Sequence, residues 1–314
     1  MRVVALAGGV GAGKFLRGLI RVVSPEDVTV LVNTGDDLHL HGLHVSPDLD
    51  SVLYWLSGVA DTERGWGRAE ETFRTRDELG RIGGQAWFAL GDLDLATHLF
   101  RGHLLAEGQT LSQATEALCR AFGVRARLIP MTDDPVATRI QAVDADGTAL
   151  DLHFQEYWVA RGAQDEVKGV GYAGAAAARP APGAVEAIAG ADAVLVCPSN
   201  PVASIAPILA IPGIAEAVRA RRERAAGVTP IVAGAPVRGM ADRLMPAAGL
   251  EVSAHGAAAT YRGLISGFVI DERDASLAPR IEAELGMRVG TTDTIMGRDE
   301  DAERVARAAL SLVS

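Results

Sequence analysis

Short apolar runs alternate with polar loops rich in glycine and aspartate along most of this chain. Val3–Ala7, Val28–Val32, residues 193–197 and residues 229–232 are such runs. They stop at Gly8, at Asn33-Thr34-Gly35-Asp36-Asp37, at Pro198-Ser199-Asn200-Pro201 and at Ala233-Gly234. Runs without polar alternation suit strands buried on both faces. Residues 111–122 and 214–226 carry helical spacing, and Lys14 onward reads as the start of a helix behind the first run. The order predicts an α/β fold: a Rossmann-like, mostly parallel sheet with helices on both faces. In such sheets ligands sit beyond the carboxyl ends of the strands, so the polar loops should converge on one crevice.

Residues 142–174 break the pattern. Residues 150–159 alternate like a strand and cluster Phe154, Tyr157 and Trp158. They read as an antiparallel insertion or edge subdomain, followed by an Ala/Gly/Pro-rich connector over 173–182. The expectation is one α/β domain over 1–314 with a smaller antiparallel and helical insertion at about 142–182. No internal repeat is visible.

Composition narrows the partners. A net charge of −10 argues against nucleic-acid binding, which wants a basic face. An acidic chain that holds phosphates must concentrate positive charge locally. The two cysteines, Cys119 and Cys197, lack C-x-x-C spacing and suggest a reducing compartment. With no signal-peptide pattern and no long apolar run, the chain reads as cytoplasmic and free of the membrane.

The first run leads into Gly8-Gly9-Val10-Gly11-Ala12-Gly13-Lys14. Strand, glycine turn and helix N-terminus together make an anion site, because free N–H groups and the helix dipole point at it. The segment meets the P-loop pattern except at Phe15, which has no hydroxyl for Mg²⁺. It also misses the dinucleotide pattern, which would need glycine where Lys14 stands.

Aspartates crowd the next loops. Asp36 and Asp37 end the second run, and Asp48 and Asp50 follow at the entrance of a helix expected over 51–56. Carboxylates on adjacent strand-end loops suit Mg²⁺, which takes oxygen ligands and leans on substrate phosphates; the same residues also cap helices. His39, His41 and His44 lie between them and read as hydrogen-bonding loop residues. Gly91-Asp92-Leu93-Asp94-Leu95-Ala96-Thr97-His98 is a loop entering a helix that Asp92 or Asp94 could cap, and Trp87-Phe88 before it read equally as rings for stacking on a planar ligand or as core residues. Pro198-Ser199-Asn200-Pro201 with Ser204 is a second candidate anion or base-reading loop. Met131-Thr132-Asp133-Asp134-Pro135 and the Gly234–Gly239 stretch with Arg238 are further polar segments.

Taken together, the glycine start, residues 32–37, 46–50 and 91–98, Met131–Pro135, His153-Phe154-Gln155-Glu156 and Pro198–Pro201 resemble the 2-phospho-L-lactate transferase family of coenzyme F-420 biosynthesis. The resemblance spans nearly the whole chain. It implies attack by the terminal ribityl hydroxyl of the deazaflavin Fo on a guanosine-diphosphate-linked donor carrying a lactyl, enolpyruvyl or glyceryl group. GMP leaves and a phosphodiester forms. Such transfer is mostly positioning and charge stabilisation. The resemblance further implies that Gly8, Gly9, Gly11, Gly13 and Lys14 hold the diphosphate. Asp37 and Asp50 would hold Mg²⁺ or orient the hydroxyl, beside Asn33, Thr34 and Asp48. Ser199, Asn200 and Ser204 would help with the nucleotide. Trp87, Ala89, Gly91, Asp92 and His98 would border the deazaflavin. Relatives suggest a homodimer. The rival expectation is a non-catalytic, nucleotide-sugar-binding regulator of the related gluconeogenesis-factor family.

Overall fold

The structure, a computed structural model, describes residues 1–313. Its centre is a seven-stranded, all-parallel sheet of β1 (Val3–Ala7), β2 (Val28–Val32), β5 (Arg127–Pro130), β9 (Ala193–Val196), β10 (Ala225–Val228), β13 (Gly267–Asp271) and β14 (Arg288–Thr292). The spatial order is β14-β13-β10-β9-β1-β2-β5. Val3, Ala5 and Ala7 enter one apolar core while Val4 and Leu6 enter another. That split is the period-two geometry of a strand covered on both faces.

After β1 the chain builds outward through β2 and β5, then returns to lay β9 on the other side of β1. The loops after β1 and β9 therefore diverge, and a crevice opens between them. The Gly8 amide donates to the Ser199 hydroxyl across this opening at 3.3 Å.

Smaller sheets decorate the frame. β3 (Leu38–Leu40) pairs with β4 (Leu43–Val45), and β11 (Ile231–Val232) with β12 (Ala235–Pro236). An antiparallel sheet joins β6 (Ala137–Val143), β7 (Ala149–His153) and β8 (Glu166–Ala173). It begins earlier than the expected insertion boundary at 142. The aromatic half of the expected 150–159 strand is a π-helical turn, Glu156–Ala160, which buries Tyr157 and leaves Trp158 partly exposed.

Two other boundaries moved. The helix expected over 214–226 stops at Ala220, because Ala225 and Ala226 belong to β10. The strand expected over 229–232 is instead the hairpin after β10. Short apolar runs do not distinguish helix from strand without their neighbours.

The first helix, α1 (Gly9–Val22), starts five residues before the expected Lys14. The glycine segment is thus the helix's own opening turns. α1 packs on α2 (Pro47–Ser57) and on the C-terminal helix Asp299–Ser311. A Cβ at Gly13 would stand 2.5 Å from the Trp55 ring, so this glycine serves helix packing. No single helix among the described residues is long and apolar enough to cross a membrane.

Candidate active site

A cavity of about 710 Å³ occupies the crevice. Of the sequence-nominated residues, Gly8, Gly9, Gly11, Lys14, Asp48, Asp50, Ala89, His98, Ser199, Asn200 and Ser204 line it. Gly13, Asn33, Thr34, Asp37, Trp87, Gly91 and Asp92 do not.

The anion side lies at the start of α1. Gly8 offers no capping side chain; its own amide donates to Ser199 and the Gly9 amide to the Asp48 carboxylate, so the helix dipole faces this end of the cavity with its first amides already engaged. Lys14 reaches the cavity from the next turn. Burial and the nearby Arg238 guanidinium both hold the Lys14 ammonium below its usual range. Arg238 is fixed by donating from Nη2 to the Arg64 carbonyl at 2.8 Å. Two cations pressed together in an acidic protein mark a place for an anion. Asn200 lines the same side, but its Oδ1 accepts from the Val202 and Ala203 amides at 2.9 and 3.1 Å.

Asn33 organises the acidic floor. Its Oδ1 accepts from the Gly35 amide at 2.8 Å, which tightens the loop after β2. Its Nδ2 donates to Asp48 at 2.9 Å and to Asp36 at 3.3 Å. The Asp36 and Asp48 carboxyls are buried. Burial pushes Asp48 up to about 7, and burial with the Asp48 charge raises Asp36 well above the carboxylate range. Gln155 also donates to Asp36, at 3.3 Å. Asn33 is therefore a positioning residue behind the cavity wall.

Asp48 and Asp50 lie in the first turn of α2, within the helix that was expected to begin at Ser51. Asp50 has a different partner: Arg101, on α4 (Asp92–Ala106; α3 is Arg74–Arg81 and α5 is Leu111–Ala121). The guanidinium takes both carboxylate oxygens, through Nη1 to Oδ2 at 3.1 Å and through Nη2 to Oδ1. Arg101 Nη1 also lies 3.2 Å from His98 Nδ1. The Arg101 side chain is 1% exposed, and that of His98 is 3% exposed. Burial is the main cause that lowers His98 to about 4.

Sequence reasoning overlooked Arg101, although a signal exists. Asp94, Thr97, His98, Arg101 and Leu104 share the buried face of α4, whereas Leu93, Leu99 and Phe100 are exposed. Polar residues at core spacing, with apolar ones between, mark a helix whose buried face serves something other than packing.

Asp37 sits behind the cavity. Its Oδ2 accepts from the Ser46 hydroxyl at 2.6 Å and pairs with His44 Nε2 at 2.8 Å. Its Oδ1 is buried without a hydrogen-bond partner, which fits a cation ligand. Asp50 does not fit that role here, because the buried Arg101 charge against both of its oxygens opposes a second cation, although lone pairs remain for a hydroxyl donor. Among the described residues, no group of three or more His, Cys, Asp or Glu side chains is arranged for a metal ion. Mg²⁺ held by one or two carboxylates and substrate phosphates needs no such cage. Of the loop histidines, His41 contacts the Gln85 carbonyl and His39 packs edge-on against His44.

Aromatic rings line the same cavity, and Arg238 lies against Gly65, next to Trp66, and Gly239 against Trp158. Tyr54, Trp66, Phe88, Phe154 and Trp158 supply the rings, beside Leu90 and Val45. Trp87 instead packs into the small core of Leu40, Val45 and Leu90, edge-on to Phe88 at 5.5 Å. Asp92 turns outward and caps α3 by accepting from the Arg74 and Thr75 amides at 3.1 and 3.0 Å. Gly91 is covered by Glu71. The far wall, Thr294–Gly297, was not singled out from sequence. It is held by Asp271, which accepts from the Thr294 amide at 2.8 Å and from its hydroxyl at 2.9 Å.

Comparisons with known proteins agree with this architecture. The family described as "2-phospho-L-lactate transferase CofD" matches residues 3–305. A Streptomyces avermitilis protein named phosphoenolpyruvate transferase is 49% identical, over 99% of this chain and 98% of its own. One of the same name from Kitasatospora aureofaciens is 48% identical, with the same coverage. A Methanosarcina mazei 2-phospho-L-lactate transferase is 38% identical, over 96% of this chain and 97% of its own. A crystal structure of a UPF0052-family protein from Bacillus halodurans superposes with a TM-score of 0.64 at 16% identity, over 98% of both chains. That likeness concerns the fold alone.

Proposed function

We propose that this chain, which belongs to the 2-phospho-L-lactate transferase CofD family, transfers a phosphoenolpyruvyl group from a guanosine-diphosphate-linked donor to the deazaflavin Fo. The observation that carries the reading is one cavity lined both by Lys14 and Arg238 with the start of α1 and by aromatic rings, with Asp48 and Asp50 on its wall. A diphosphate suits the cations and the helix start, and a flat ring with a hydroxylated tail suits the aromatic residues. The choice of enolpyruvyl over lactyl or glyceryl follows the names of the relatives at 48–49% identity.

In the reaction, the ribityl hydroxyl oxygen of Fo forms a bond to the phosphorus bearing the enolpyruvyl group. The bond from that phosphorus to the GMP phosphate breaks. GMP leaves with the electron pair, and the hydroxyl proton is released. Phosphoryl transfer asks the protein for alignment and charge stabilisation more than for covalent chemistry. Lys14, Arg238 and the α1 dipole oppose the charge on the donor phosphates. Asp50, held in place by the Arg101 guanidinium, accepts a hydrogen bond from the attacking hydroxyl and aims it. Mg²⁺, when bound, would neutralise phosphate charge, and Asp37, whose unpartnered Oδ1 is buried behind the cavity wall, is the carboxylate that would hold it.

The test is incubation with Fo and each of the three donors, with Mg²⁺ or with excess EDTA, reading GMP and the phosphodiester. The expected result is Mg²⁺-dependent turnover, fastest with the enolpyruvyl donor. GDP binding without turnover of any donor would support a non-catalytic regulator instead. Full activity in EDTA would remove the metal from the reading.

A further inference from the structure

Arg101 touches two cavity residues at once, and its chemistry restricts one of them. A guanidinium only donates hydrogen bonds. Arg101 Nη1 has three acceptors within reach, Asp50 Oδ2 at 3.1 Å, His98 Nδ1 at 3.2 Å and the His44 carbonyl at 3.3 Å, and a proton on Nδ1 would point an N–H at a nitrogen that has no lone pair to offer, so the geometry favours a bare Nδ1. The alternative, Nδ1–H donating to Asp50 Oδ2, would span 3.5 Å to an oxygen already held by Arg101. With Nδ1 bare, a neutral imidazole carries its proton on Nε2. His98 lines the cavity, and among the described residues its Nε2 has no hydrogen-bond partner.

We propose that Arg101 is a positioning residue that fixes His98 as an Nε2–H donor in the aromatic-lined part of the cavity. That part would then select a planar ligand presenting a ring carbonyl or an unprotonated ring nitrogen. His98 is a donor here and not a proton acceptor. The same guanidinium aligns Asp50, so one buried arginine sets both the donor for the ring and the acceptor for the tail. The ligand half of this inference rests on the proposal that Fo lies against the aromatic residues; the tautomer half does not.

Two measurements test it. The first is ¹⁵N NMR of the histidine side chains in the ligand-free chain, with His98→Gln used to assign the signal. The expected result is a single neutral tautomer with the proton on Nε2. In Arg101→Lys, which keeps the charge but loses the fork, a mixture with Nδ1–H should appear. An Nδ1–H tautomer in the unsubstituted chain, or an unaltered Nε2–H signal in folded Arg101→Lys, overturns the positioning role.

The second is titration of Fo by its own fluorescence. The glutamine amide of His98→Gln reaches the place of Nε2, whereas that of His98→Asn reaches only the place of Nδ1. His98→Gln should keep Fo affinity within about threefold, and His98→Asn and His98→Leu should lose about tenfold, near 1.4 kcal/mol. Equal loss in the Gln and Asn variants, both folded, overturns the donor assignment. If the unsubstituted chain binds no Fo at all, the proposed acceptor fails and the ligand half falls with it. The NMR result then still decides the tautomer.

Discussion

Two parts of the cavity lining are built in opposite ways. The anion side is made of backbone contiguous in sequence, the turn from β1 into α1, with Lys14 one turn on and Arg238 added from afar. The aromatic lining is assembled from Tyr54 within α2, the loop holding Trp66, the segment before α4, α4 itself and the residues from Phe154 through the π-helical turn after β7. Binding an anion needs a helix dipole, which any helix start supplies. Holding a flat ring needs side chains at particular separations, which only a fold supplies. The anion side should therefore be sensitive to backbone displacement, and the aromatic side to side-chain truncation.

The strongest break in this contrast lies at Asp50, on the cavity wall. Asp50→Asn should lower GMP release by about 10² or more per folded molecule, the scale for losing a positioned catalytic group. It leaves the Arg101 charge buried without its partner, which costs about 3–5 kcal/mol of stability. Initial rates normalised to folded protein by circular dichroism separate the two effects. Full activity in the folded variant would remove Asp50 from the reaction.

Next is a backbone displacement on the anion side. A Cβ at Gly11 would stand 2.4 Å from the Pro198 carbonyl, so Gly11→Val must push the first turn of α1 and the loop after β9 apart. GDP affinity should fall by about tenfold or more, with Fo affinity nearly unchanged. Calorimetry with GDP and fluorescence with Fo read each side separately. Equal losses would show that the two sides are not independent.

Side-chain truncation on the aromatic side is a smaller effect. Phe88 lines the cavity and Trp87 does not, so Phe88→Ala should raise the Fo dissociation constant about three- to tenfold. Trp87→Ala should raise it by less than about threefold. The reverse ranking in the same fluorescence titration would put Trp87 against the ring.

The smallest effect concerns the acidic floor. Asp48 is pushed up to about 7 from an ordinary value of 3.8, mainly by burial. The folded chain thus binds this proton more tightly than the unfolded chain does. Between pH 4 and 7 its contribution to stability declines as pH rises, and above 7 the loss is complete. Asp48→Asn should remove that decline. Its melting temperature should rise by about 2 °C at pH 8, with little change at pH 4. Identical pH profiles for variant and parent would show that Asp48 ionises without penalty.

Much of the frame was legible because strands buried on both faces leave uninterrupted apolar runs. Val28–Val32 is one such strand, and the run at 193–197 differs from β9 by a single residue. Glycines before Lys14 pointed to an anion site, and aspartates after β2 pointed to a polar floor. The sequence could not say where α1 begins, since glycines that pack a helix and glycines that shape a loop look alike until Trp55 and Pro198 are in place.

Nor could it separate Asp48 from Asp50. Two residues along a helix turn the side chain by about 200°, so the two carboxylates face different neighbours. One meets Asn33 and Asp36, and the other meets Arg101. Sequence by itself determined the parallel sheet, the crevice at its switch point and the chemistry of its nearest loop, because these depend on local pattern and chain order. Only the tertiary structure decided which carboxylates are paired, which aromatic rings face the cavity and which nitrogen of His98 is bare. Those depend on contacts between residues far apart in the chain, such as Arg101 with Asp50, and no local pattern encodes them.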